Sequence, residues 1–359
     1  MSAKAEYRTL EASLSRLLGR YAARTDTSAV QFALASPGRG WRWEWYAPGA
    51  IRQYFIASAT KLYVTALVMQ LRAEGLLGLD DPAAQYLDSS VMSGIHVLRG
   101  IDYGDRITVR ELLSHTSGIA DYFEQRRKNG PTQIGKALRG DFAWTFDDVL
   151  QITKEELSPR FAPSTPGKAF YSDTNYQLLG RVIEKVIGLN YEEALQQRLL
   201  GPLGLVDTYP FTAATVGRYD SVARMLYGRE PVRIPLVMAS VRADGGIVST
   251  AVDGITFLEA LMGGRLFPAE YLGEMQKRWN AIFPPLEYGV GIMRFALPRY
   301  YTLFKEVPPM IGHSGASGAV LYYVPALDLY VSGTVNQLKN RSLPYNLMTR
   351  LVMACQDAW

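Results

Sequence analysis

Both ends of this chain alternate apolar and polar residues with a period of two, while its middle repeats every three to four. Near the N-terminus, Val30, Phe32 and Leu34 fall on every second position, and so do Trp41, Trp43 and Trp45. That spacing turns one side of each strand toward a core. Pro37-Gly38-Arg39-Gly40 between them reads as a hairpin turn, and the three tryptophans read as one buried sheet face. Near the other end, 288–292, 319–324 and 329–335 read as extended. A helix stands outside each strand group. Leu10, Leu14, Leu17, Leu18 and Tyr21 recur at steps of three and four, and residues 345–355 carry Leu347, Leu351 and Val352 on one side. The interior holds further helical patterns at Leu62, Ala66, Met69, Gln70 and Ala73 and over 178–187, separated by loops rich in Gly, Pro and Asp.

Strands at both ends and helices between them imply an α/β (α+β) fold: an antiparallel sheet flanked by helices, with an inserted all-helical domain. The expected boundaries are 1–75 with 245–359 for the discontinuous sheet domain and 76–244 for the mainly helical one. A chain of 359 residues buries a core without covalent staples.

Several function classes are disfavoured early. The net charge is only +4, and the densest basic run, Arg126-Arg127-Lys128, reads as a solvated loop, so no nucleic-acid partner is expected. Cys355 is the only cysteine, which excludes an intrachain disulfide. His96, His115 and His313 are scattered and lack H-E-x-x-H, so no metal site is expected. Neither G-x-x-x-x-G-K-[ST] nor G-x-G-x-x-G occurs, so no nucleotide cofactor is expected; G-x-S-x-G is missing as well. The charge-free stretch 62–71 is too short to span a bilayer, and 307–327 is broken by prolines and glycines. The opening Met1-Ser2-Ala3-Lys4-Ala5-Glu6 has no apolar leader core. The expected location is cytoplasmic as the chain stands, and periplasmic or extracellular if a leader has been removed. Oligomeric state is left open.

Three short elements carry chemistry. The first is Ser58-Ala59-Thr60-Lys61, where an extended segment gives way to an apolar helix. A step of three residues turns a helix by about 300° and rises about 4.5 Å, so Lys61 stands one turn above Ser58 on the same face. A serine hydroxyl needs a base before it attacks, and a neighbouring amine of depressed pKa can be that base. Alternatively Lys61 stays charged and lowers the pKa of a tyrosine. The second element, Tyr171-Ser172-Asp173-Thr174-Asn175-Tyr176, supplies such a tyrosine in a loop before an apolar helix. The third is Gly312-His313-Ser314-Gly315-Ala316-Ser317-Gly318, expected at the start of a strand, with small residues that let a ligand approach the backbone.

In this order and at these separations, the three elements resemble the serine β-lactamase and penicillin-binding-protein superfamily, in its branch of class C β-lactamases, DD-peptidases and esterases. The flanking segments 111–119, 175–180, 245–250 and 288–291 agree with that resemblance. It implies a β-lactamase-like fold with the site in a cleft between the two domains, and a serine hydrolase without metal or cofactor. Ser58 would be the acylated nucleophile, Lys61 would hold or take its proton, and Tyr171 would be the general base. The backbone amides of Ser58 and Ala316 would form the oxyanion hole. Asp173, His313, Ser314 and Gly315 would contact a small ester, amide or peptide substrate.

Two positions depart from the pattern. Asp173 stands where asparagine is usual, and an ionised carboxylate accepts hydrogen bonds but cannot donate them. It could pair with Lys61 and keep it charged. His313 replaces a lysine, and an ordinary histidine loses its charge near neutral pH. Both argue against an efficient β-lactamase. They favour an esterase or D-amino-acid/DD-peptidase-like amidase, with a penicillin-recognising sensory module as the alternative. His115 reads as structural. Tyr122 and Phe123 read as a possible pocket wall, with Trp144 beside them, and Tyr301 and Phe304 as lesser contributors to the pocket.

Overall fold

The computed structural model describes residues 3–299 and 305–359. Tyr301 and Phe304 lie outside the described residues. Eight strands form one antiparallel sheet in the order Asn280–Phe283, Leu286–Tyr288, Met293–Phe295, Met310–Ser314, Ala319–Val324, Leu329–Thr334, Gln31–Ser36 and Trp41–Tyr46. The chain ends meet inside it: Phe32 stands opposite Gly333, and Leu34 opposite Val331.

The alternation along Gln31–Ser36 shows how the sheet is covered. Phe32 and Leu34 face a cluster that includes Leu14 and Leu18 of helix Ala3–Ala22 and Leu347 and Leu351 of helix Leu343–Ala358. Ala33 and Ala35 face the opposite cluster, with Phe257 and Leu258 of helix Ala251–Met262 and Val64 and Val68 of helix Thr60–Ala73. Every residue of the strand is buried, as a strand covered on both faces must be. The three tryptophans do share one face, but only Trp41 is buried. Trp43 and Trp45 are half-covered because Trp41–Tyr46 is the edge strand.

The chain between the two strand groups is mostly helix and loop. Helix Asp173–Ile187 runs until Gly188, whose φ of 76° closes it with an N–H bond to the Glu184 carbonyl. It places Leu178, Leu179 and Val182 in the same apolar cluster as helix Thr60–Ala73. Eleven of the fourteen residues of Thr60–Ala73 are buried, so this helix is the shared core of sheet and helical region.

Two sequence expectations are corrected here. Residues 288–292 are not one strand. Tyr288 ends a strand, Gly291 takes φ 71°, and its N–H reaches the Leu113 carbonyl. A tight return of this kind needs the left-handed backbone that glycine adopts freely. Likewise, His313 and Ser314 end a strand rather than start one, and residues 315–318 are the turn into the next.

Candidate active site

Ser58 is set in place by its backbone neighbours. Tyr54–Phe55 pairs with Ile247–Ser249, and the Ile56 N–H reaches the Ile247 carbonyl at 3.0 Å. Ala57 then takes φ 46°, a left-handed conformation unusual for a residue with a side chain, and Ser58 follows in a single 3-10 turn before helix Thr60–Ala73. The turn at 315–318 is tied to the same segment. Ser317 Oγ donates to the Phe55 carbonyl at 2.6 Å, and a Cβ at Gly315 would stand 2.0 Å from the Ile56 carbonyl oxygen. Only glycine permits that approach. Ala316 is thereby held on the same cavity wall as Ser58. Among the described residues, the amides of Ser58 and Ala316 have no acceptor.

Tyr171 and Asp173 come from the other side. The Ser172 N–H donates to His115 Nδ1 at 3.1 Å, and the Asp173 N–H donates to Asp121 Oδ1 at 3.0 Å. The Ser172 and Thr174 hydroxyls both donate to the Ala120 carbonyl. The His115 ring lies 4.3 Å from the Tyr171 ring, itself 6.3 Å from His313. His115 therefore positions the tyrosine from behind, which agrees with its structural reading.

Lys61 is fully buried on an apolar helix, so its charge needs partners. Its Nζ donates to Asp173 Oδ1 at 2.6 Å and to the Asp244 carbonyl at 2.7 Å. It also lies 5.1 Å from the centre of the Tyr171 ring and 5.3 Å from that of Tyr176. The Asp244 carboxylate accepts from the Tyr122 hydroxyl at 2.8 Å and from Gln177 at 2.9 Å. Burial, reinforced by Asp173, drives the Asp244 carboxyl well above its ordinary range, against the pull of Lys61. Burial raises Asp173 too, opposed by Lys61. Burial and Asp173 hold the Tyr171 phenol well above its ordinary value, while its contact with Ser58 works the other way.

Two of the expected contacts are corrected. His313 is fully buried and lines neither cavity beside Ser58. Its Nδ1 lies 2.7 Å from the Ser314 carbonyl and its Nε2 lies 3.0 Å from the Tyr288 hydroxyl. A carbonyl can only accept, so Nδ1 carries the proton. Burial and Lys61 push the His313 pKa down to about 3, so the ring is neutral across the working range rather than losing charge near neutrality. Tyr122 is the second correction. It is fully buried with its hydroxyl on Asp244, and only Phe123 faces the cleft. Residues 122–124 form a turn, closed by the Gln125 N–H on the Asp121 carbonyl, and the buried Asp244 holds the neighbour that carries a hydroxyl. Ser58, Asp173 and Ala316 line both cavities; Tyr171, Ser314 and Gly315 line one of them.

The structure adds residues that the sequence reading did not single out. Asp244 precedes the quoted Gly245-Gly246, and Tyr288 opens the quoted 288–291, so both stood next to a usable signal. Arg341 had none. It pairs with Glu124 at 2.5 Å at the mouth of the cleft, joining the segment before the last helix to the loop that carries Phe123. One cavity beside Ser58 has a volume of about 280 Å³ and the other about 580 Å³.

A family model described as Beta-lactamase matches residues 14–352. Penicillin-binding protein 4 of Amycolatopsis lactamdurans is 32% identical over 286 residues, covering 74% of this chain and 67% of that protein. A putative penicillin-binding protein, PbpX, of Bacillus subtilis (strain 168) is 25% identical over 263 residues, covering 72% of this chain and 57% of that protein. The chain thus spans about three fifths of the length of these relatives. Among solved structures, a D-stereospecific amidohydrolase from Streptomyces sp. superposes with a TM-score of 0.70 at 27% identity, over 92% of this chain and 95% of that one. No described helix is long and apolar enough to cross a membrane.

Proposed function

The chain belongs to the β-lactamase family, and from that premise we propose that it is a serine hydrolase that turns over a small ester or amide through a Ser58 acyl-enzyme. The observation that carries this reading is the meeting of Ser58 and Tyr171 on one cleft with two backbone amides that have no acceptor, backed by the buried Lys61–Asp173 pair. The D-stereospecific amidohydrolase among its structural relatives supports the same class.

In this reading Ser58 Oγ attacks the acyl carbon, and its proton passes to Tyr171. The carbonyl oxygen, now carrying negative charge, is met by the amides of Ser58 and Ala316. Tyr171 then returns the proton to the leaving oxygen or nitrogen as the bond to the acyl carbon breaks. A water attacks the acyl-enzyme by the same path, and Ser58 is released. Lys61, paired with Asp173, acts as a fixed cation rather than as the base. Tyr171 acts as the base only as its phenolate, formed when its own proton passes to solvent, and the Lys61 ammonium stabilises that anion.

The site is poorly suited to β-lactams. A β-lactam brings a carboxylate, yet His313 is neutral and buried, and Arg341 is already paired with Glu124. Intact-mass spectrometry with an aryl ester should therefore show a transient acyl adduct on the wild type and none on Ser58→Ala. Full turnover by Ser58→Ala would end the proposal. A permanent penicilloyl adduct without ester turnover would replace it with a penicillin-recognising module.

A further inference from the structure

We infer that the substrate is apolar on both sides of its scissile bond, with the acyl chain in the smaller cavity and the leaving group in the larger. This deepens the reading of Ser58 as an acylated nucleophile and rests on it.

The two cavities meet at Ser58, Phe123, Asp173, Ala316 and Arg341 and diverge from there. The smaller is walled by Ile134, Leu138, Ile234, Val237, Met238 and Val241. The larger is walled by Phe283, Pro285, Leu286, Phe295, Pro344 and Tyr345. The buried or ion-paired groups gather where the cavities meet: Asp173 with Lys61, and Arg341 with Glu124. Asp244, on the smaller cavity, is likewise held by Tyr122 and Gln177. Lys339, an exposed residue of the smaller cavity, lies over the Tyr227 ring. A charged substrate group finds no buried, unpaired counter-ion among the described residues of these walls, whereas an apolar group gains by leaving water. Apolar walls with a few fixed polar groups at the reacting centre are the usual build of a small-molecule site.

The direction of binding follows from the proton. The group that protonates a leaving atom must lie within hydrogen-bond reach of it. Tyr171 lines the larger cavity and not the smaller, as do Ser314 and Gly315. The leaving group therefore departs into the larger cavity. The carbonyl oxygen points at the amides of Ser58 and Ala316, which leaves the smaller cavity for the acyl chain. Leu138 and Met238 on its wall limit the chain length.

Two substitutions at half-buried wall positions test the assignment. The readouts are two ratios of kcat/KM: p-nitrophenyl octanoate over acetate for the acyl side, and benzyl over methyl octanoate for the leaving side. The wild type should prefer octanoate at least tenfold, since one methylene in an apolar pocket already discriminates by about that factor. Leu138→Trp should lower the first ratio at least tenfold with little change in the second. Leu286→Trp should do the reverse. A wild type that prefers acetate, or variants that shift both ratios alike or in the crossed sense, would overturn the inference. Labelling of Ser58 by a fluorophosphonate separates the two levels. Labelling with the wrong ratios sinks only the substrate assignment. No labelling and no ester turnover sinks the hydrolase reading and the assignment together.

Discussion

The two flanks of the candidate nucleophile are built on opposite electrostatic plans. On one flank Lys61, Asp173, Asp121 and Asp244 crowd together, three buried carboxyl groups around one buried ammonium. On the other, Tyr171, Tyr176, Tyr288, His115 and His313 form a contiguous aromatic patch. Burial and Lys61 keep both of its histidines far below their ordinary pKa. Charge is therefore confined to one side and reaches the other through the Lys61 ammonium against the Tyr171 and Tyr176 rings. A tyrosine so placed has one cation to stabilise its phenolate and no titrating neighbour among the histidines.

That contrast can be broken most severely at Lys61. Lys61→Met should lower the unfolding free energy by about 3–5 kcal/mol, because it strands a buried carboxylate. Adding Asp173→Leu should recover most of that loss in chemical denaturation. If the double variant is no more stable than the single one, the pair is not what holds this flank together. Neither variant should hydrolyse esters.

The next effect concerns rate. Because burial and Asp173 hold the Tyr171 phenol above its ordinary value, the phenolate fraction should rise about tenfold per pH unit through neutrality. The pH profile of kcat/KM should climb steadily into the alkaline range, without a shoulder near 6.5, since His313 does not titrate there. A bell centred near neutral pH would mean that a histidine carries the proton instead.

A third effect sharpens the contrast through the pH dependence of stability. Burial and the charge of Asp173 raise the Asp121 carboxyl to about 7. Between its ordinary value and about 7 the folded state binds the extra proton, so this group makes stability fall as pH rises. His313 is lowered to about 3, so between about 3 and 6.5 the unfolded state binds the extra proton and stability rises with pH. Each contribution is at most about 1.4 kcal/mol per pH unit. Relative to wild type, Asp121→Asn should gain stability as pH rises from 4 to 7, and His313→Gln should lose it from 3 to 6.5. Parallel curves for all three proteins would show that the two flanks do not differ as described.

How much of this was legible in the sequence depends on how far apart the partners lie. Ser58 and Lys61 are one helical turn apart, so their relation follows from helix geometry and could be read directly. Tyr171 is marked by its place in a loop just before a periodic apolar helix, whereas the roles of Asp173 and Ala316 come only from the resemblance to the serine β-lactamase superfamily. Phe123 and Tyr122 could not be told apart, since a loop's path decides which neighbour faces the cleft. Arg341 and Glu124 are 217 positions apart, and nothing local marks either one.

The sequence by itself determined most of the elements and that one sheet draws on both chain ends, and, through the family resemblance, it nominated the candidate residues for acyl transfer. The elements are matters of periodicity, turn chemistry and side-chain type, which act over a few residues. Only the tertiary structure decided which flank is charged, that His313 is buried and neutral, and that two apolar cavities diverge from Ser58. Burial and electrostatic environment are properties of what packs around a group, and here the packing partners come from every part of the chain.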